Sequence, residues 1–234
     1  MKIRAFSFLV FFVCAGLFGQ ERPDALILYR GGNYARAAEV CLDELKEMPR
    51  NMNSFVVLGW SLLRLGRYQE ALSYGNRGLG VSRYDHRVIQ IVGEANYNLG
   101  NNLEALKYFE EYVAIAPTGD HIGEVYYLMG EIFIRLGEWN NADIAFSTAV
   151  HYNPNVAARW ARLGYAREQA RDYRYSLEAY NKALQLNSSL SDALRGRQRV
   201  QAVLSPATAS SASSASSSTS SASPSTSTAS SVSR

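Results

Sequence analysis

Three glycines, Gly75, Gly78 and Gly80, stand within six positions of the stretch YGNRGLGVS at residues 74–82. Glycines this crowded are what a backbone needs to approach a phosphate closely. A phosphate cradle also needs a preceding strand, a helix that starts just after the glycines and usually a lysine. None of these flanks the stretch. The other groups with chemical potential are equally dispersed. His86, His121 and His151 lie far apart, show no cysteine or acid at metal-ligand spacing, and read as turn residues. Cys41 falls on an apolar helical face, where a single thiol is packing rather than chemistry. The sequence holds neither a Gly-x-Ser-x-Gly elbow nor a His-Glu-x-x-His pair, and its serines crowd into the C-terminal tail, where no oxyanion site can be preorganised. The sequence therefore assigns no catalytic residue, no metal and no cofactor, and the chain is read as a non-enzyme.

The elements around these residues follow from composition and repetition. The chain has 234 residues, 47% of them hydrophobic, and a formal charge of +3, enough apolar content for a sizeable core. Lys2 and Arg4 precede the apolar run AFSFLVFFVCAGLF, the pattern of an export signal over residues 1–19. Cleavage after Gly19 or after Ala15 fits, and so does a retained anchor, although Phe11, Phe12 and Val13 before Cys14 do not form a lipoprotein box. Loss of residues 1–19 removes Lys2 and Arg4 and no acid, so no nucleic-acid footprint is expected. It also leaves Cys41 the single cysteine, which rules out an internal disulfide. Residues 205–234 are almost entirely Ser, Thr, Ala and Pro and are expected to be disordered, as a tether, a site of sugar attachment or an unselected tail.

Between these ends the sequence repeats. Gly32, Gly66, Gly100, Gly137 and Arg171 follow one another at intervals of 34, 34, 37 and 34 residues. Five residues after each stands a small side chain, Ala37, Ala71, Ala105, Ala142 and Ser176, and seven before each stands another, Ala25, Gly59, Gly93, Gly130 and Gly164. Two helices cross closely only where neither presents bulk at the contact. Apolar residues at helical spacing, such as Leu58, Leu62 and Leu65, fill the intervals. The anchors are expected to end a first helix in a left-handed cap, with Tyr34, Tyr68, Trp139 or Tyr173 packed under the turn, and Pro49, Pro117 and Pro154 to stop the second.

This pattern resembles the tetratricopeptide (TPR) family over about residues 20–190, most closely in VVLGWSLLRLGRYQEAL and WARLGYAREQARDYRYSLEAY. The resemblance implies an all-α fold, an α-solenoid in which TPR helix pairs wind as a right-handed superhelix, with units at about 20–51, 52–85, 86–119, 123–156 and 157–188. Residues 189–204 would form a polar-faced closing helix. Departures from the pattern are Asp24 in place of an apolar residue in the terminal unit, Asn102 in place of the turn aromatic, Arg171 in place of glycine, and three additional residues in the joint PTGDHIG. In this register the glycines at 75, 78 and 80 fall inside the second helix of unit two, Gly75 matching Phe109 and Phe146. They form either a loosely packed helix or a notch that accepts bulk from a neighbouring helix or a partner.

The resemblance places a ligand segment on the concave wall of first helices. That wall maps to Asn53, Val56, Trp60 and Arg64; to Arg87, Gln90, Glu94, Tyr97 and Asn98; to Glu124, Tyr127, Glu131 and Arg135; and to Ala158, Ala161, Tyr165 and Glu168. The Lys and Asn clamp of chaperone-binding family members is absent, with Val56, Val57 and Trp60 in comparable places. Trp60, Tyr97, Tyr127 and Tyr165 are candidate anchors, alternatively mere filling of the groove, and Glu94, Glu131 and Glu168 would select basic or amide groups. The expected partner is a protein or peptide. Residues 86–156 hold three Lys or Arg against nine Asp or Glu, whereas residues 157–204 hold nine against four. The basic end would meet lipid headgroups as a peripheral membrane contact, an acidic protein, or the acidic middle of a second copy by self-association, unless it is simply solvated. Localisation in a bacterial cell envelope or periplasm completes the expectation.

Overall fold

A computed structural model describes residues 23–205; the expected leader over residues 1–19 and the tail beyond Ser205 lie outside the described residues. Helices follow one another as α1 (Ala25–Arg30), α2 (Tyr34–Glu47), α3 (Met52–Arg64), α4 (Tyr68–Val81), α5 (His86–Leu99), α6 (Asn102–Ile115), α7 (Ile122–Leu136), α8 (Trp139–Tyr152), α9 (Ala157–Gln169), α10 (Tyr173–Leu186) and α11 (Ser191–Leu204), and the described residues contain no strand. Each helix packs on the next, and α3 also touches α5, which touches α7. The result is the expected α-solenoid, with odd-numbered helices forming one wall and even-numbered helices the other.

The repeat of small residues has a direct steric cause. A Cβ built on Gly93 would meet the Phe109 ring at 2.6 Å, on Gly130 the Phe146 ring at 2.7 Å, and on Gly164 the Tyr180 ring at 2.8 Å. In these three units the first helix carries no side chain at the crossing, so that a ring of the second takes the space against its backbone, and all three rings are almost wholly buried. The turns are equally uniform. Gly32, Gly66, Gly100 and Gly137 have φ between 72° and 81°, and Arg171 takes the same left-handed conformation at φ 65°.

Unit two breaks the steric pattern, which settles the role of its glycines. They lie inside α4, where Gly75 takes the place of the ring, and the space is filled from α5: Val92 Cγ2 comes within 2.6 Å of where a Gly75 Cβ would be. Val88 and Phe55 close on Gly78 in the same way, while Gly80 faces open space. Gly75 and Gly78 are thus a notch occupied by neighbouring helices.

Several local expectations are corrected. Asp24 faces water, but as the N-cap of α1 rather than as a residue inside the helix, its carboxylate accepting from the Leu26 and Ile27 amides at 2.8 and 3.0 Å. His121 caps α7, but His86 and His151 are helical residues rather than turn residues. The closing helix α11 buries Ala193, Gly196 and Val200 against unit five, yet Val203 and Leu204 at its end are exposed apolar residues. Cys41 is fully buried, and burial pushes its thiol up to about 12, with Glu44 and Asp24 adding to the shift.

Gly75→Ala is expected to destabilise the fold by about 1 kcal/mol or more, because overpacking against the stiff Val92 exceeds the ~1 kcal/mol gain in helix propensity. Gly80→Ala should instead stabilise by up to ~1 kcal/mol, and Arg171→Gly by about 1 kcal/mol through relief of the left-handed backbone. Urea unfolding of the three variants checks the signs; equal effects at positions 75 and 80 would contradict the notch.

Candidate functional site

The inner wall has two unlike halves. From α7 onward its polar side chains are bonded to one another. The Glu131 carboxylate accepts two hydrogen bonds from Arg162, the second at 2.7 Å, Glu124 pairs with Arg159, and Glu168 accepts from Arg199 at 2.6 and 2.8 Å and from the Tyr180 hydroxyl at 2.6 Å. Burial raises the Glu168 carboxyl, but Arg199 and Tyr180 outweigh it and hold the group below the ordinary glutamate value. The rings are covered as well. Arg135 lies 4.1 Å from the Tyr97 centroid and donates to the Tyr97 carbonyl, while Arg159 covers Tyr127 and Arg162 covers Tyr165, each at 5.3 Å. Burial together with the Glu131 charge pushes the Tyr127 phenol up to about 12. Of the residues expected to select a ligand, Glu131 and Glu168 are therefore already paired within the chain.

Nearer the N-terminus the wall opens into a cleft of about 500 Å³ between α3, α5 and the joint before α7. Trp60 stands at its side, half-buried, with Tyr29 at 5.7 Å on one flank and the His121 ring at 6.4 Å on the other. Arg64 reaches into the cleft and hydrogen-bonds Tyr29. Glu94 lines the cleft with one visible partner, the Gln90 amide, which donates to its Oε1 at 2.6 Å. Burial raises the Glu94 carboxyl; the Glu124 charge adds to this, and Gln90 and Arg64 only partly oppose it. Gln90 is 3% exposed, and its Oε1 has no hydrogen-bond partner.

Arg87 does not face this cleft. Its guanidinium is clamped by Asp85, the N-cap of α5, at 2.7 and 3.0 Å and reaches Asn53 at 3.3 Å. It borders a second cleft of about 570 Å³ with Val56 and Trp60, beside the short helix α1. The structure thus brings together Trp60, Arg64 and Glu94 in the first cleft, leaves Arg87 in the second, which shares Trp60 as its wall, and places Tyr97, Tyr127, Glu131, Tyr165 and Glu168 in the bonded half. Tyr29, Asp120, His121 and Arg159 line the first cleft although the repeat register did not put them on the wall. The signal for two of them was the longer joint, which carries Asp120 and His121 across to Trp60. Among the described residues no group of three or more His, Cys, Asp or Glu could hold a metal ion, and no helix is long and apolar enough to cross a membrane.

Two models of the tetratricopeptide repeat match the chain, over residues 25–85 and 124–155. The chain is a tetratricopeptide-repeat protein. Solved structures with the same fold include MamA from Desulfovibrio magneticus RS-1, 20% identical with a TM-score of 0.62 over 71% of this chain and 93% of that one. YrrB, a TPR protein with an unusual peptide-binding site, is 17% identical with a TM-score of 0.62 over 74% and 88%. TTC0263, a thermophilic TPR protein in Thermus thermophilus, is 20% identical with a TM-score of 0.55 over 77% and 95%. No curated protein sequence matches. At these identities the likeness establishes the TPR fold, and the cleft has to be read from its own residues.

The raised carboxyl of Glu94 has a consequence for stability. With a folded-state value above the unfolded one, the ionised group destabilises the fold at neutral pH, and the penalty fades as pH falls through the raised value towards the unfolded one. Glu94→Gln should therefore melt at a higher temperature than the wild type at pH 7, and the two should converge near pH 4, around the unfolded glutamate value of about 4.3. A variant less stable than the wild type at pH 7 would show that Glu94 is paired after all.

Proposed function

We propose that this TPR protein is a non-catalytic adaptor of the bacterial cell envelope that binds a protein or peptide segment in the cleft walled by Trp60. The observation that carries the reading is the contrast between the two halves of the inner wall. Where α7 to α11 tie their acids and rings to their own arginines, the cleft keeps Trp60, Glu94 and Gln90 with bonding capacity unfilled. Stacked helix pairs hold these groups in place before a ligand arrives, so little ordering entropy opposes capture. The basic-then-apolar start of the sequence supports export, and a Cys41 thiol sealed in the core at about 12 supports binding rather than nucleophilic chemistry.

A structural tether through the basic end is the second reading. Arg171, Arg174 and Arg197 favour it, since none of them has a carboxylate partner among the described residues. Against it, Arg159, Arg162, Arg167, Arg195 and Arg199 are already paired inside the chain. Three of these pairs, Arg159 with Glu124, Arg162 with Glu131 and Arg167 with Asp143, join the basic end to the acidic middle within one molecule, which reduces the charge left for a head-to-tail contact between copies.

Photocrosslinking from a benzophenone residue introduced at exposed Asn98, in the native membrane fraction, separates the two. The adaptor reading expects a crosslinked polypeptide whose yield falls about tenfold or more in Trp60→Ala, as for an interface hot spot, and is unchanged when Arg171, Arg174 and Arg197 are reversed to Glu. Insensitivity to Trp60→Ala together with loss on charge reversal would select the tether.

A further inference from the structure

Glu94 and Glu131 occupy the same repeat position, each six residues before its turn anchor, Gly100 or Gly137. Glu131 is met by Arg162, which stands nine residues before the next anchor, Arg171. The residue nine before Gly137, in the place that would serve Glu94 in the same way, is Leu128, a buried member of the core. Unit three thus carries the carboxylate, and unit four lacks the guanidinium that would answer it. Arg64, the cation across the cleft, hydrogen-bonds Tyr29 instead, and among the described residues Glu94 forms no ion pair.

We propose that the cleft takes the side chain of an arginine in the bound segment, its guanidinium seated between the Glu94 carboxylate and the unpartnered Gln90 Oε1, with the Trp60 ring beside it. The inference rests on the adaptor reading and names the group that the cleft selects. Two acceptors stand side by side there, and the Gln90 oxygen, on a side chain only 3% exposed, has no donor. A guanidinium is planar, always charged and carries five donors in a fixed fork, so it can answer a carboxylate and an amide oxygen together, whereas an ammonium presents a point charge. The molecule repeats the same chemistry internally: Arg162 pairs with Glu131 while covering Tyr165, and Arg159 pairs with Glu124 while covering Tyr127. Trp60 offers the corresponding ring in the cleft. The raised carboxyl of Glu94 agrees with an anion whose counter-ion comes from outside.

The test uses the full chain and blocked pentapeptides of the form Gly-Ser-X-Ser-Gly with X as arginine, citrulline or lysine, titrated to millimolar concentration while the Trp60 indole N–H resonance is followed. The arginine peptide should shift this resonance in a saturable way, and citrulline, which keeps the shape and loses the charge, should bind at least tenfold more weakly. Glu94→Gln should weaken the arginine peptide by a similar factor. Arg162→Leu, which frees Glu131, should add a second equivalent of bound peptide; a stoichiometry of one in the folded variant removes the internal precedent and overturns the choice of guanidinium. An equal response to lysine or citrulline, no response to the arginine peptide, or indifference to Glu94→Gln also overturns the inference. In each of those cases Trp60-dependent crosslinking from position 98 leaves the adaptor reading standing, and only its loss removes both.

Discussion

The close crossing of the two helices within each unit is the constraint on which the rest of this structure depends. A ring on the second helix lies against a glycine on the first, Phe109 on Gly93, Phe146 on Gly130 and Tyr180 on Gly164. Because the interior is packed to near-crystalline density, a side chain added at such a glycine has nowhere to go. The contact fixes the register of each pair, which fixes how pairs stack, which in turn decides which residues of the odd-numbered helices face inward. Unit two meets the same demand by exchange, giving up the ring at Gly75 and accepting Val92 from the following unit.

With the wall fixed, charge decides where it is free to act. The acids of α7 and α9 are met by arginines of the next inner-wall helix, Glu124 by Arg159, Glu131 by Arg162 and Glu168 by Arg199, so the concave surface from α7 onward is a closed ladder that ties unit four to unit five and unit five to the closing helix. Partly buried pairs of this kind are costly to break, because removal of one partner strands the other. The ladder ends where Leu128 stands in the place of an arginine. Beyond it lies the cleft of Trp60, Glu94 and Gln90, which has the inverse arrangement: an anion whose one bonded donor is the neutral Gln90 amide, and an amide oxygen with no donor, a local departure from the best fold of the kind that marks functional positions.

Much of this was legible in the sequence. The spacing from Gly32 to Arg171 gave the units, the small residues gave the crossings, and the shared register put Trp60, Arg64 and Glu94 on one wall. What periodicity could not supply was the partner of each side chain. Arg159 and Arg162 read as members of a basic end, yet they turn inward, because a register assigns a residue to a helix position and long side chains reach across several. Asp24 looked like a polar substitution inside a helix and proved to be the cap that starts a shortened one. The three additional residues of the joint were visible as a change of spacing, but only the folded path shows that they carry His121 to Trp60.

The account's central claim, that Glu94 alone among these inner-wall acids is left without an arginine, is tested most directly by an NMR titration of the side-chain carboxyl carbons in the free protein. Glu94 should titrate above the ordinary glutamate value and Glu168 below it. If Glu94 instead titrates at or below Glu168, its carboxylate already holds a cation inside the chain, and the cleft is not the open site described here.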